Sequence, residues 1–211
     1  MSPAALRLYA VSDRSRLRAG ESLDGLLPAL FENGVTCFQL REKGLPEPQL
    51  LEEAQRLLPI CRSFGIPFIL NDNVAIARQI GADGVHVGLS DMGIARTREI
   101  LGPNAIIGGS AHSVFEALAA EQAGADYLGC GAVFGSTTKA DATQLSPEEL
   151  AAICRAVHIP VVAIGGITGQ NLPELAGSGI AGPAVVNALF AQPNPAAAAK
   201  RLRALSDALF G

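Results

Sequence analysis

The sequence predicts an α/β protein built as a single (β/α)8 (TIM) barrel. Short apolar runs with strand character alternate with amphipathic helical segments, and eight such units fit into the 211 residues. Hydrophobic residues make up 49% of the chain and charged residues only 17%, so much of the chain must be buried on more than one side. Parallel strands covered by helices meet that requirement. We expect residues 1–211 to form one domain.

The predicted elements follow one another at nearly regular spacing. The strand candidates are Leu6–Ser12, Thr36–Arg41, Pro67–Asn71, Gly84–Gly88, Ala105–Ser110, Tyr127–Val133, Pro160–Gly165 and Gly182–Asn187. The helical candidates, with apolar residues three and four positions apart, are 22–33, 47–64, 73–80, 92–101, 114–123, 147–156, 170–177 and 195–209. The commonest alternative, a doubly wound open sheet, has fewer strands and a glycine-rich first turn, and no GxGxxG motif follows the first strand here.

Composition narrows the range of functions. A formal charge of −4 argues against a nucleic-acid-binding surface. The chain has no apolar run of the roughly 20 residues that a membrane span needs, and no signal-peptide pattern, so we expect a cytoplasmic protein without membrane contact. The four cysteines are far apart and form no CxxC pair, so we expect buried free thiols: Cys37, Cys61, Cys130 and Cys154.

Two similar phrases occur in the middle of the chain, GADGVHVG at 81–88 and GADYLGCG at 124–131. Each combines a helix-ending glycine, an Ala-Asp turn and a strand. We interpret the likeness as shared chemistry of the turn between a helix and a strand, and not as a functional repeat.

The second strand ends in a polar, charged run. Active sites of these barrels lie at the carboxyl ends of the strands, so polar residues there suggest function. In Gln39-Leu40-Arg41-Glu42-Lys43, alternation places Gln39, Arg41 and Lys43 on one face. Cations that face a cavity need an anion. Either an anionic ligand or a salt bridge to a neighbouring strand supplies it.

Two carboxylates follow the next two strands. Asp72 ends the third strand and Asp91 follows the fourth, so the two side chains are placed to converge. Carboxylates beside cations suit a Mg²⁺–diphosphate complex, because this hard cation takes oxygen ligands and shares them with phosphate and water. Asp91 has a structural alternative as the N-cap of the following helix.

The fifth strand ends in small and polar residues. The pair Gly108–Gly109 would let the backbone approach a ligand, and Ser110 could hydrogen-bond to it. Ser113 is expected to cap the next helix, with Glu116 closing a capping box. We expect His112 to be a structural, hydrogen-bonded residue, although a role in proton transfer is the alternative.

The last three strands are followed by a second candidate anion site. The loop Ser136–Lys139 carries three hydroxyls and a lysine, and is either an anion-binding loop or a solvated one. Gly166 and Asn187 follow the seventh and eighth strands, whose loops commonly bind phosphate through backbone N–H groups in such barrels. Two anion sites suggest two phosphorylated substrates.

These residues lie in motifs that extend in order along the whole chain: LYAVSD, QLREK, ND at 71–72, GADGVHVG followed by Asp91, GSAHS, GADYLGCGAVF, TTKADA, IPVVAIGGIT and AVVNALF. In these motifs the sequence resembles the thiamine phosphate synthase family. The resemblance implies a Mg²⁺-dependent enzyme that joins a hydroxymethylpyrimidine diphosphate to a thiazole phosphate. Diphosphate would leave first, and the thiazole nitrogen would capture the resulting carbocation.

The resemblance also implies a role for each matching position. The residues that would hold the pyrimidine diphosphate are Gln39, Leu40, Arg41, Glu42, Lys43, Asn71, Ser110 and Lys139. Those that would hold the thiazole phosphate are Ser136, Thr137, Thr138, Gly166, Val186 and Asn187. Asp72 and Asp91 would bind Mg²⁺, and Arg41, Lys43 and Lys139 would be the catalytic cations. The partners implied are these small molecules, and a homo-oligomer is compatible with the sequence.

The chain departs from the family pattern at a few positions. Leu89 stands where Gln is usual, Ser136 where Thr is usual, and Asn187 where Ser is usual; Pro is common where Ala132 and Gly135 stand. Two alternatives follow. A thiazole tautomerase would carry a histidine in place of Ala132 and would lack Asp91 and Lys139, whereas a non-catalytic phosphate sensor would bind thiamine phosphate without turnover.

Overall fold

The computed structural model describes residues 1–135 and 144–211, and within them eight parallel strands form a closed barrel. Each strand pairs with the next along the chain, and the last pairs with the first. The strands are β1 Tyr9–Val11, β2 Cys37–Leu40, β3 Phe68–Asn71, β4 Gly84–Val87, β5 Ile106–Ala111, β6 Tyr127–Cys130, β7 Val161–Ile164 and β8 Gly182–Val185. The predicted (β/α)8 barrel is confirmed, and each strand lies within or overlaps its predicted run.

The α-helices of the described residues are α1 Leu23–Glu32, α2 Glu47–Ser63, α3 Val74–Ile80, α4 Ile94–Leu101, α5 Val114–Gln122, α6 Pro147–Ala156, α7 Asn187–Phe190 and α8 Pro195–Phe210. Short 3₁₀-helices lie at Pro3–Leu6, Arg14–Arg16 and Leu172–Leu175. None of the helices in these parts of the chain is long and apolar enough to cross a membrane.

Two of the predicted elements differ from the structure. The helix predicted at 170–177 is only the 3₁₀-helix Leu172–Leu175, because Gly177 and Gly179, both with positive φ, follow at once. The strand predicted to reach Asn187 ends at Val185, and α7 begins at Asn187. A short apolar run such as AVVNALF has too few residues for its periodicity to distinguish a strand from a helical turn.

The apolar residues form two cores, one on each side of the barrel wall. The outer core lies between strands and helices and includes Phe38, Leu40 and Leu70. The inner core fills the barrel and includes Tyr9 and Tyr127. Alternate residues of a strand face opposite sides of the wall, so polar groups on inward positions are enclosed by the barrel.

The cysteines belong to this packing. All four are free thiols; Cys37, Cys61 and Cys130 are buried, and Cys154 is half-buried. Burial raises the pKa of Cys61 to about 12, which keeps it protonated at neutral pH. The prediction of unpaired thiols is confirmed.

The two GAD phrases form equivalent turns at the amino ends of the strands. Gly81 and Gly124 have positive φ near the ends of their helices. Asp83 Oδ2 then accepts a hydrogen bond from the Phe68 N–H at 2.8 Å, and Asp126 Oδ2 accepts one from the Ile107 N–H at 2.7 Å. Each aspartate thus ties its strand to the neighbouring strand, which confirms the structural interpretation of the repeat.

Arg98 of α4 extends the second of these turns and gives a test of stability. Its guanidinium donates to the carbonyls of Gly102, Pro103, Ala105 and Gly124 and pairs with Asp126 at 2.7 Å. We expect Arg98→Met to lower the free energy of unfolding by about 2 kcal/mol, because these acceptors lose a partly buried charged donor. Urea denaturation measures the loss.

A matched control lies two residues away on the same helix. Arg96 pairs only with Glu99 among the described residues, and both side chains are about two-thirds exposed. Arg96→Met should cost less than about 1 kcal/mol, as is usual for exposed ion pairs. Equal losses in the two variants would show that the carbonyl cluster around Arg98 adds nothing.

Candidate active site

The polar residues that follow β2 and β3 line one cleft at the carboxyl ends of the strands. This cleft has a volume of about 490 Å³, and its lining includes Lys43, Asn71 and Asp72. It lies where active sites of (β/α)8 barrels lie. Lys43 and Asp72 are 29 positions apart in the sequence, and they come together because β2 and β3 are neighbours with Gln39 opposite Ile69.

Asp72 has an unusual backbone conformation at the edge of this cleft. Its φ is +61°, and among the described residues it is the one non-glycine with a positive φ. The left-handed region is uncommon for such residues, and strain of this kind concentrates at functional sites. Its N–H donates to the carbonyl of His86 at 2.9 Å, which ties the turn to β4.

The carboxyl groups of Asp72 and Asp91 contact each other. Burial, together with the hydrogen bond and charge of Asp91, raises the pKa of Asp72 to about 6, against the lowering effect of Lys43. Two like charges in contact repel each other unless a proton or a cation lies between them. The contact between Asp72 and Asp91 is the convergence of carboxylates that the sequence predicts.

Asp91 does not cap the following helix. Helix α4 begins at Ile94 with Gly93 as its N-cap, and Asp91 Oδ2 instead accepts the N–H of Gly88 at 2.8 Å. A side chain at Gly88 would meet this carboxylate at 2.7 Å. Leu89 is 58% exposed in the same turn, so its departure from the family's Gln removes a polar group without disturbing the core.

The two cations of the QLREK run differ in their surroundings. Lys43 Nζ lies 3.8 Å from Asp72 Oδ2, and its side chain is 56% exposed. The side chain of Arg41 makes no ion pair with any residue of 1–135 or 144–211, while its backbone N–H donates to Ser12 Oγ at 2.9 Å. The alternative of internal salt bridges thus applies to Lys43 and not, within these residues, to Arg41.

Leu40 and Glu42 have side chains that take part in packing. Leu40 is fully buried in the outer core, on the side of the wall opposite Gln39. The Glu42 carboxylate accepts from Ser12 Oγ at 2.7 Å and from Arg14 Nε at 3.2 Å, and burial raises its pKa. Both residues also line the cleft, and the substrate contacts predicted for them stay predictions.

The donor set at Asp72 and Asp91 fits Mg²⁺ and not a metal that needs an all-protein cage. No group of three or more His, Cys, Asp or Glu within the described part of the chain could hold a metal ion. Mg²⁺ is usually bound by one or two carboxylates, and it keeps waters or substrate phosphates as its other ligands.

The residues at β5 are arranged differently from the prediction. A side chain at Gly108 would strike Tyr127 Cζ at 2.2 Å, and one at Gly109 would meet Ile94 Cδ1 at 2.8 Å. The two glycines therefore make room for protein side chains on the two sides of the wall, and not for a ligand. Ser110 does face inward, and its Oγ lies 3.1 Å from His86 Nε2.

The N-terminus of α5 is capped as expected, with one change. Ser113 Oγ accepts the N–H of Glu116 at 3.2 Å. Glu116 Oε2 reaches the N–H of His112 at 2.7 Å instead of that of Ser113, and lies 3.4 Å from His112 Nδ1. The contact supports the structural interpretation of His112.

Sequence reasoning missed three interior polar residues. Tyr9, Tyr127 and His86 come from β1, β6 and β4, and they link Gln39 to Ser110 inside the barrel. Each stands at an inward position of its strand, as Gln39 and Ser110 do, but the sequence alone does not show which inward residues meet.

On the opposite side of the barrel mouth, three of the predicted thiazole residues follow β7 and β8. Gly166 is exposed with φ +63°, and a side chain there would meet the Phe134 carbonyl oxygen at 2.3 Å. Val186 packs against the inner core, and Asn187 begins α7. The predicted residues Ser136, Thr137, Thr138 and Lys139 lie outside the described residues.

The closed barrel and its charged cleft are those of the (β/α)8 class of proteins, whose enzymes have their active sites at the carboxyl ends of the strands. The chain belongs to the thiamine monophosphate synthase family, whose sequence model matches residues 8–189. This membership makes it a transferase of thiamine biosynthesis that forms thiamine phosphate.

Several relatives agree with this membership. A thiamine-phosphate synthase of Clostridium acetobutylicum is 44% identical over 184 residues, which cover 87% of each chain. One of Chloroflexus aurantiacus is 44% identical over 200 residues, covering 94% of this chain and 92% of that one. The solved structure of a thiamine phosphate pyrophosphorylase from Pyrococcus furiosus is 36% identical, has a TM-score of 0.90 and covers 99% of both chains.

Proposed function

We propose that this chain condenses 4-amino-2-methyl-5-(diphosphooxymethyl)pyrimidine with 4-methyl-5-(2-phosphoethyl)thiazole, or its carboxylated form, in a Mg²⁺-dependent reaction. The observation that supports the metal-dependent part is the cluster of Lys43, Asp72 and Asp91 at the cleft edge. There, two carboxylates in contact stand beside a cation, and one of them has a positive φ.

The chemistry asked of the protein is mainly charge stabilisation. The bond between the pyrimidine methylene carbon and the diphosphate oxygen breaks, and the diphosphate leaves with the electron pair. The thiazole nitrogen then donates its lone pair to the methylene cation, which forms the thiazolium of thiamine phosphate. Because no proton has to be moved to the attacking atom, no side-chain base or nucleophile is required.

Arg41 and Lys43 are the cations that would bind the departing diphosphate from the β2 side. Such donors, fixed before the reaction, stabilise charge as it develops. Lys43 is held near the cleft by Asp72, and Arg41 has no competing ion pair within the described residues. Lys139 is proposed as a third cation, and Asn71 and Ser110 as polar contacts.

Asp72 and Asp91 are the residues that would hold Mg²⁺. Bound there, the metal supplies positive charge that offsets the charge of the diphosphate and of the two carboxylates. The thiazole phosphate would bind across the barrel mouth, at Ser136, Thr137, Thr138, Gly166, Val186 and Asn187.

The test is the formation of thiamine phosphate by the purified chain from the two substrates, with Mg²⁺ and with EDTA. Product that depends on Mg²⁺ supports the synthase. Isomerisation of the thiazole phosphate without coupling would indicate the tautomerase, and binding of thiamine phosphate without turnover would indicate the sensor. Coupling at full rate in EDTA would contradict the metal role of Asp72 and Asp91.

A further inference from the structure

Five polar side chains form a continuous line of hydrogen bonds through the interior of the barrel. Gln39 Nε2 donates to Tyr9 Oη at 2.8 Å, and Tyr9 Oη lies 2.7 Å from Tyr127 Oη. His86 bridges the remaining gap, with Nδ1 3.1 Å from Tyr127 Oη and Nε2 3.1 Å from Ser110 Oγ. The residues come from five different strands, and the line ends at two residues proposed to bind substrate.

The hydrogens along this line are interdependent. An amide nitrogen can only donate, so Tyr9 accepts from Gln39 and gives its own hydrogen to Tyr127. Tyr127 then donates to His86 Nδ1, which leaves the hydrogen of the imidazole on Nε2, directed at Ser110 Oγ. Turning the amide of Gln39 over would require every hydrogen in the line to move, so the five groups keep one orientation together.

The surroundings hold the line in place. Tyr9 and Tyr127 are almost fully buried, and burial raises the pKa of both hydroxyls well above the ordinary value, so both keep their hydrogens. Their rings pack edge to face, with centroids 5.8 Å apart. Gly108 and Gly129 provide the room, since side chains there would come within 2.5 Å and 3.0 Å of the His86 ring.

We propose that Tyr9, Tyr127 and His86 are positioning residues that orient Gln39 and Ser110 toward the aminopyrimidine. This inference rests on the proposed function. In this arrangement Gln39 Oε1, which makes no hydrogen bond with any described residue, presents an acceptor, and Ser110 presents its hydroxyl hydrogen. A 4-aminopyrimidine has the complementary groups, an amino donor and ring-nitrogen acceptors.

Without a positioning role, the burial of these polar groups inside the barrel would bring no advantage over apolar residues. Phenylalanine would fill the space of either tyrosine without the need for a partner, and buried hydroxyls cost free energy unless they are hydrogen-bonded. A binding role explains the buried hydroxyls, because the residues at the two ends of the line must then hold fixed orientations for a ligand. This positioning role separates the recognition of the pyrimidine ring from the binding of its diphosphate, which depends on Lys43, Asp72 and Asp91.

The experiment compares two ligands on one variant. Tyr127→Phe removes a single oxygen from the middle of the line and keeps the ring. With Mg²⁺ present, calorimetry measures the Kd of the pyrimidine diphosphate and, separately, of inorganic diphosphate. We expect the first Kd to rise about tenfold, the usual effect of one lost hydrogen bond, and the second to change by less than about twofold.

Two controls distinguish positioning from general destabilisation. Ser206→Ala removes another buried hydroxyl, which donates to the Arg7 carbonyl at 2.6 Å far from the cleft, and should leave both Kd values unchanged. Tyr9→Phe cuts the line one bond earlier and should reproduce the effect of Tyr127→Phe. It also decides the question if Tyr127→Phe does not fold.

The remaining outcomes overturn one proposal or the other. Parallel weakening of both ligands would show that Tyr127 only supports the fold, and unchanged affinity for both would show that the line does not orient Gln39 and Ser110. A wild-type chain that binds neither ligand would instead refute the proposed function.

Discussion

Replacing Asp72 by asparagine should lower the rate of thiamine phosphate formation by about 100-fold or more. The substitution removes one of the two carboxylates proposed to hold Mg²⁺, and with it much of the stabilisation of the leaving diphosphate. Asparagine accepts the left-handed backbone conformation as well as aspartate does, so the positive φ at this position is kept. Steady-state rates at saturating substrate, over a range of Mg²⁺ concentrations, measure the effect.

The same variant should be no less stable than the wild type without Mg²⁺. The pKa of Asp72 is raised from 3.8 to about 6 in the folded state, so the folded chain holds this proton more tightly than the unfolded chain does. The contribution to stability is therefore present below about pH 4 and is lost as the pH rises through about 6. At pH 7.5 the ionised carboxylate destabilises the fold, and the neutral amide avoids this repulsion.

The rate of product formation and the Tm in EDTA together show whether Asp72 acts in metal binding or in the fold. A large loss of rate with an unchanged or higher Tm in EDTA assigns the loss to the metal site. A lower Tm would mean that Asp72 supports the fold instead. His112→Ala is the matched control near the barrel mouth, because His112 contacts Glu116 on α5, and it should keep most of the activity. A loss equal to that of Asp72→Asn would contradict the structural assignment of His112.

The fold could be predicted because each of its units carries the same local signals. Apolar strands such as Phe68–Asn71 are buried on both sides, and helices such as Glu47–Ser63 show helical spacing of apolar residues. The segment at 170–177 was predicted incorrectly since closely spaced glycines favour a short 3₁₀ turn over a full helix. The type of each long element thus followed from the spacing of its apolar residues. The form of a short element depended instead on the geometry of the adjoining turn.

The cleft was predictable to a similar degree. Lys43, Asp72 and Asp91 follow neighbouring strands of a barrel, so the fold alone brings them to one edge. The direction of side chains on the QLREK run was only partly predictable. Alternation places Leu40 in the outer core, but the pairing of Glu42 with Ser12 depends on how the loop after β1 meets the loop after β2.

The interior line of polar residues could not be predicted from local patterns. Tyr9 and Tyr127 are 118 residues apart, and an inward tyrosine looks like any other core residue until its partner is known. The prediction that Gly108 makes room for a ligand was wrong. In the sequence, a glycine that makes room for a neighbouring ring looks the same as one that makes room for a ligand. Only the closed barrel brings these positions together.

Gly108→Ala should therefore destabilise the protein by about 3 kcal/mol, a large effect for a single methyl group. The added carbon would lie 2.2 Å from Tyr127 Cζ and 2.5 Å from His86 Nδ1. The Tyr127 ring cannot move freely because it is fully buried, and the backbone of β5 is held by strands on both sides. Urea denaturation gives the change in the free energy of unfolding.

Gly169→Ala is the control for this substitution, since its added carbon would meet nothing closer than Leu205 Cδ1 at 3.7 Å. It should change stability by less than about 1 kcal/mol. If the clash with Tyr127 causes the loss, then Gly108→Ala should cost much less in a Tyr127→Ala background, where the ring is absent, and the two substitutions should be strongly non-additive. Additive losses would show instead that the Tyr127 ring is not the cause, and would leave the contact with His86 Nδ1 or the backbone of β5 as the reason for Gly108.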